Sequence, residues 1–251
     1  EQAKAVTWYH PWHTVFDADY EEVDFGWFLG GRLNAAFNCV DRHLKDRGDQ
    51  TALIWAQDEV GNYTFITYRE LKHEVCRVAN VLKAHGVRKG DRVCIYMPMI
   101  PETVYTMLAC ARIGAVHSVV FGGFGAAALN MRIKDADAKV VITADITIRR
   151  GKAIQLKAIV DEAIVNAPTV ENVVVLRRRE PHVDLHEKEL DFYEMMEGMP
   201  DICPPEVMDA EDPFFILYTS GSTVKPNGIV HTCGGYMVGT YYTSKYIFDI
   251  K

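Results

Sequence analysis

Hydrophobic positions along the chain change period in a regular way, and the change separates strands from helices. Apolar and β-branched runs over residues 51–56 and 63–66, either side of a Gly61-Asn62 turn, predict two strands. Leu71, Val75, Val78, Ala79 and Leu82 then recur on one helical face. A Thr67-Tyr68-Arg69-Glu70 capping box opens that helix and Gly86 closes it. From Asp91 onward the two periods alternate: strands are expected over 92–96, 115–121, 139–143 and 172–176, and helices over 102–113, 126–135 and 152–166. The strands are apolar at both parities, as strands covered on both faces must be. The fold class is therefore α/β, with layered β–α units on a mostly parallel sheet.

The flanks differ. Residues 1–50 are rich in aromatics (Trp8, Tyr9, Trp12, Trp27, Phe28) and carry a helical pattern through Leu33, Phe37, Val40 and Leu44, which predicts an N-terminal extension packed on the 51–197 α/β subdomain. After a polar stretch over 177–197, residues 198–213 form a Pro-rich connector. It leads to a segment over 214–251 that reads as apolar strand, loop, short strand at 229–232 and the start of a helix from Tyr236.

Composition narrows the function. The chain has 251 residues, 49% apolar and 24% charged, the balance of an ordinary globular protein. With 27 basic and 34 acidic residues its net charge is −7, which disfavours binding to a nucleic acid. The longest apolar runs are strand-sized, so no membrane association is expected. Six cysteines, Cys39, Cys76, Cys94, Cys110, Cys203 and Cys233, are scattered without a C-x-x-C pair; they read as reduced core thiols of a cytoplasmic protein with no metal site. Glu1 is not preceded by methionine or a signal-like segment, so the chain is expected to be a fragment.

The chemistry concentrates in Tyr218-Thr219-Ser220-Gly221-Ser222-Thr223-Val224-Lys225-Pro226-Asn227-Gly228, which follows Phe214 to Leu217. Short hydroxyl side chains and glycines suit a loop that closes its backbone N–H groups around a phosphate chain. The loop resembles the T-S-G-S-T-G-x-P-K-G signature of adenylate-forming enzymes, with Val224 at the glycine that follows T-S-G-S-T and Asn227 at the lysine. Further segments carry the likeness across the chain: Trp27 to Asn34, Asn38 to His43, Val116 to Phe124 and His231 to Tyr236. Together they resemble the N-terminal portion of AMP-forming acetyl-CoA synthetases.

That resemblance implies an acetate–CoA ligase using ATP, Mg2+ and coenzyme A, in which a carboxylate is adenylated and CoA then displaces AMP. It assigns Thr219, Ser220, Gly221, Ser222 and Thr223 to the ATP phosphates and puts Lys225 beside them. It assigns Phe121, Gly122, Gly123 and Arg149 with Lys152 to the CoA nucleotide. Lys152 stands where arginine is familiar, a point charge in place of a fork. Val224 removes a glycine's conformational freedom and Asn227 removes a full positive charge, which predicts impaired ATP use. No catalytic residue and no metal ligand is assigned within 1–251, because the family's acyl pocket, ribose-binding aspartate, hinge and C-terminal domain correspond to later sequence. The isolated chain is accordingly expected to be inactive. A separate C-terminal chain or a homo-oligomer would complete it; the alternative is a non-catalytic remnant.

Other patterns compete. Gly123-Phe124-Gly125-Ala126-Ala127-Ala128 fits G-x-G-x-x-A, with Asp145 at the end of the next strand, the fingerprint of an NAD-dependent oxidoreductase. The glycines are equally accounted for by the synthetase's F-G-G turn. His10/His13 and His182/His186 have ligand-like spacing but read as surface histidines, Arg177-Arg178-Arg179 as a solvated strand end, and the Tyr236, Met237, Tyr241, Tyr242, Tyr246 stripe as packing.

Overall fold

The protein is described by a computed structural model over residues 1–219 and 226–250. In chain order the first elements are strands β1 (Thr14–Asp19), β2 (Asp24–Leu29) and β3 (Arg32–Leu33), then short helices α1 (Ala35–Cys39) and α2 (Leu44–Arg47). A hairpin of β4 (Thr51–Ala56) and β5 (Tyr63–Thr67) leads into α3 (Tyr68–Ala84). The α/β body follows: β6 (Arg92–Tyr96), α4 (Pro101–Ile113), β7 (Val116–Val119), α5 (Ala126–Asp135), β8 (Val140–Ala144), a hairpin of β9 (Ile146–Arg149) and β10 (Lys152–Gln155), α6 (Leu156–Ile164) and β11 (Asn172–Leu176). The last elements are β12 (Glu189–Asp191), α7 (Phe192–Met196), β13 (Met208–Asp209), β14 (Pro213–Thr219), β15 (Asn227–Thr232) and α8 (Cys233–Tyr246).

Seven strands form the main sheet in the order β12-β11-β8-β6-β7-β14-β15, parallel throughout except for the antiparallel β14–β15 pair. Its central strands are buried on both faces: Val93, Cys94, Ile95, Val141, Ile142, Val173 and Val175 are all sealed from water. Helices α3 and α4 pack together, as do α5 and α6.

The connectivity opens the sheet at one place. The β6–α4–β7 unit moves to the neighbour on one side, whereas β7–α5–β8 returns past β6 to the other. Right-handed crossovers in opposite directions must lie on opposite faces, so the loops after β6 and β7 diverge and leave a crevice between their C-terminal ends.

Most elements match the sequence pattern. The Thr67 capping box is formed, with Glu70 N donating to Thr67 Oγ1 and Thr67 N to Glu70 Oε2. Two expectations are corrected. Residues 152–155 are a hairpin strand and not the first turn of a helix: Arg150 and Gly151 both take positive φ, 52° and 73°, which makes a two-residue turn and reverses the chain before α6 begins. The polar stretch over 177–197 also holds regular structure, because β12 pairs in parallel with β11 and Asp191 caps α7 through Tyr193 N and Glu194 N.

Buried polar groups dock the N-terminal residues. Asn34, fully buried, accepts from Phe37 N to start α1 and donates Nδ2 to Ala111 O, Arg112 O and Glu206 O, so one side chain caps two helices and ties down Glu206. Arg112, 2% exposed, forks onto Asp41 at 2.7 and 2.9 Å and donates Nε to Cys203 O. Removing one partner from such a pair leaves a buried charge, a loss of about 3–5 kcal/mol.

Candidate functional site

The loop after β7 is pinned at both ends into the crevice. Val120 N donates to Ile95 O at 2.8 Å, Tyr96 Oη donates to Phe124 O, and Phe124 N donates to Phe121 O at 3.0 Å, closing a turn over Phe121, Gly122 and Gly123. Phe121 is 57% exposed, and the Arg149 guanidinium lies over its ring, 5.0 Å from the centroid. Gly123 permits that arrangement: a Cβ there would stand 2.6 Å from Arg149 Nη1 and closer still to the Phe121 ring. Gly122 has no such constraint, since its Cβ would meet nothing nearer than 3.6 Å. Lys152 lies directly opposite Arg149 across the β9–β10 hairpin, so the two side chains share one face of it. Phe121, Gly122, Gly123 and Arg149 thus form one cluster, with Lys152 beside it on the hairpin.

The Gly/Ser/Thr-rich segment joins β14 to β15. Thr219 pairs with Asn227 at its base, and both are exposed. Ser220, Gly221, Ser222, Thr223, Val224 and Lys225 lie outside the described residues. Tyr218, just before the segment, donates Oη to Asp135 Oδ2 at 2.7 Å. Burial and the Asp135 charge push its phenol above the ordinary range.

Arg132, which sequence reasoning passed over, links the two regions. Its guanidinium lies 4.6 Å from the Phe124 ring centroid and 5.4 Å from that of Tyr218, and Nη1 donates to Ala128 O at 2.7 Å. One buried cation on α5 therefore touches the turn after β7 and the root of the β14–β15 hairpin. The signal was present: Arg132 shares the inward face of α5 with Leu129 and Ile133, a place for a charge only where aromatic and backbone groups receive it.

His117 on β7 lies beneath the same hairpin, with Phe214 and Phe215 at centroid distances of 5.3 and 5.5 Å; Phe215 stacks in turn on His231 at 4.5 Å. Its Nδ1 is buried without a hydrogen-bond partner among the described residues. Burial lowers its pKa to about 4, so the ring is neutral in the fold.

The competing patterns take structural parts. Asp145 is buried and spends its carboxylate on Ile146 N and Arg179 N, and β8 is not the neighbour of β7, so the adjacent-strand unit of a dinucleotide fingerprint is absent here. His182 pairs with Glu180 at 3.0 Å. Asp161, His186 and Glu189 converge, yet the Lys157 ammonium already stands 2.9 Å from Asp161 and 3.1 Å from Glu189, where a cation would sit. Among the described residues no helix is long and apolar enough to cross a membrane.

A twisted parallel sheet with a crevice at its switch point defines an α/β protein of the kind that receives ligands at the C-terminal ends of its strands. The chain belongs to the AMP-binding enzyme family, which it matches over residues 40–250, and residues 1–39 match the acetyl-coenzyme A synthetase N-terminus. Acetyl-coenzyme A synthetase 2 of Pseudomonas aeruginosa is 55% identical over 251 residues, 99% of this chain and 39% of that protein. Acetyl-coenzyme A synthetase of Halorhodospira halophila is 56% identical over 254 residues, with 100% and 39% covered. Acetoacetyl-CoA synthetase from Streptomyces lividans has a similar structure, with a TM-score of 0.90 at 28% identity over 98% of this chain and 37% of that one. The chain thus spans about two fifths of the length of these relatives.

The neutral, buried His117 makes stability depend on pH. The unfolded chain binds a proton near the ordinary histidine value of 6.5, and the folded chain only near 4, so stability falls as pH drops through this window and is unaffected above it. Denaturant unfolding at pH 7 and pH 5 should show a loss of roughly 2 kcal/mol from this group. His117→Phe should flatten the profile; an equal loss in both proteins contradicts the assignment.

Proposed function

We propose that the chain is the N-terminal part of an AMP-forming acetate–CoA ligase and that it carries the CoA-nucleotide cradle and the ATP phosphate hairpin of that enzyme. The observation that carries the reading is the cluster at the crevice: an exposed Phe121 ring, a glycine that makes room beside it, and Arg149 with Lys152 facing one another on a hairpin. Like charges opposite each other across two strands repel, and a bound phosphate relieves that repulsion. Phe121 offers a stacking face for adenine, and Arg149 a fork for phosphate oxygens.

On this reading ATP lies along the β14–β15 hairpin, with Thr219, Ser220, Gly221, Ser222 and Thr223 donating to its phosphates and Lys225 adding charge nearby. The acetate oxygen attacks the α-phosphorus, and pyrophosphate leaves with the electron pair of the broken P–O bond. The CoA thiolate then attacks the acyl carbon and AMP departs. Donors held ready for the leaving pyrophosphate do the electrostatic work of the first step. Mg2+ supplies charge neutralisation when ATP brings it. Asp135, at the root of the hairpin, accepts the Tyr218 hydroxyl, and the ion is assigned to the triphosphate it arrives with.

Val224 and Asn227 weaken the ATP half. Asn227 begins β15 opposite Thr219, where a lysine would place its ammonium at the mouth of the loop, and the amide leaves only a neutral donor. On this reading a separate C-terminal chain or a second copy completes the enzyme, and Ile229 and Val230 on the outer strand β15 with Phe248 beyond α8 offer it an exposed apolar edge. A cytoplasmic setting agrees with six free thiols, five of them buried.

Two calorimetric titrations test the two halves. Arg149→Glu should weaken CoA binding about tenfold or more, one charge-assisted contact being replaced by repulsion; equal affinity removes the cradle assignment. Val224→Gly combined with Asn227→Lys should tighten MgATP about tenfold, and unchanged affinity would sink the explanation of the altered loop. Residues 1–251 alone should release no acetate- and CoA-dependent pyrophosphate, and release would contradict the need for further polypeptide.

A further inference from the structure

A cavity of about 450 Å3 opens between the β4–β5 hairpin, α3, the first turns of α4 and α7, and it shares no lining residue with the Phe121–Arg149 cluster. Trp55, Phe65 and Tyr193 line it, together with the carboxylates of Glu74 and Glu102 and the hydroxyphenyl ring of Tyr105. Phe65 and Tyr193 are more than half exposed. Tyr105 is 8% exposed, and its hydroxyl has no hydrogen-bond partner among the described residues. The hydroxyl is not sealed from water and meets the open space of the cavity, where an entering donor reaches it.

Charge and chemistry select what can enter. Glu70, Glu74 and Glu102 face a single guanidinium, Arg77, which leaves the wall two negative charges. Arg77 is already spent on Glu74 and on Met196 O. Glu102 accepts the Tyr193 hydroxyl and Glu70 is held by the Thr67 cap, so the carboxylates offer few free oxygens. Burial raises both the Tyr105 and Tyr193 phenols above their ordinary range, and the Glu102 carboxylate adds to it, by its charge at Tyr105 and by its hydrogen bond and charge at Tyr193. An anion is repelled here. A bare divalent cation, which needs six or more oxygen ligands, is poorly served by committed carboxylates. An ammonium on an alkyl stem fits each wall: aromatic rings receive the cation and its methylenes, and its N–H groups donate to Tyr105 Oη and to the remaining lone pairs of Glu102.

We propose that this cavity binds a primary alkylammonium group, carried by a free amine or by a lysine side chain. The rings and the carboxylates act together, since rings alone would take a neutral alcohol and carboxylates alone any small cation.

The indole N–H of Trp55, which donates to Met99 O at 3.1 Å, is an NMR reporter inside the site. The chain, labelled with 15N, is titrated with n-butylammonium chloride, with n-butanol, and with sodium chloride at matched ionic strength. A saturable shift of the Trp55 resonance with butylammonium alone is the expected result. Saturation by butanol at equal concentration, an equal response to sodium chloride, or no saturation by butylammonium overturns the proposal. Glu102→Gln should weaken butylammonium about tenfold. Tyr105→Phe, which removes one oxygen and leaves the ring packed, should weaken it severalfold with the melting temperature unchanged, and it decides the matter if the Glu102 variant does not fold. An N-acetyl-lysine amide arm separates the sources: equal binding points to a lysine side chain, and binding of butylammonium alone to a free amine.

Discussion

The handedness of parallel crossovers governs this molecule. A right-handed βαβ unit can travel in one direction only over one face of the sheet, and the chain travels both ways from the middle: β6 to β7 on one side, β7 past β6 to β8 on the other. The loops at the ends of β6 and β7 are thereby forced apart. The turn that carries Phe121, Gly122 and Gly123 stands in the gap, and the β14–β15 hairpin borders it because β14 adds to the outer side of β7. An open crevice at this point follows from topology before any side chain is considered.

Side chains then hold the gap in shape. Tyr96, at the end of β6, fastens the turn by its hydroxyl, and Thr143 on β8 donates to the Tyr96 carbonyl, so three neighbouring strands share one network. Arg132 contacts Phe124 and Tyr218 and carries the link to the hairpin. On the far side of α4, Asn34, Asp41 and Arg112 bind residues 1–50 and 203–206 to the body. The letters around Asn34 and Asp41 that carry the family likeness are therefore joints.

Much of the fold was legible because it rests on local rules. Strand and helix periods, the Thr67 box and the stop at Gly86 are each written in a few adjacent residues. The hairpin at 146–155 was not, since its alternation is short and it runs straight into the amphipathic pattern of α6; only the Arg150-Gly151 pair marked the turn. Strand β12 was hidden in a polar stretch because it is three residues long and its order depends on β11 and on the Lys157–Glu189 contact. Of the candidate site, the residue types and the Phe121–Gly123 turn could be read from sequence by resemblance. The mutual placement of Arg149 and Phe121, and the role of Arg132, depend on tertiary packing that no local pattern encodes.

The crevice at the β6–β7 switch is proposed as a nucleotide cradle organised by Phe121 and Arg149. Its most direct test is an experimental structure of the chain with coenzyme A. The adenine ring should stack on the exposed face of Phe121, with a phosphate within hydrogen-bond distance of Arg149. Coenzyme A bound elsewhere, or a saturated crystal with Phe121 and Arg149 untouched, would contradict it.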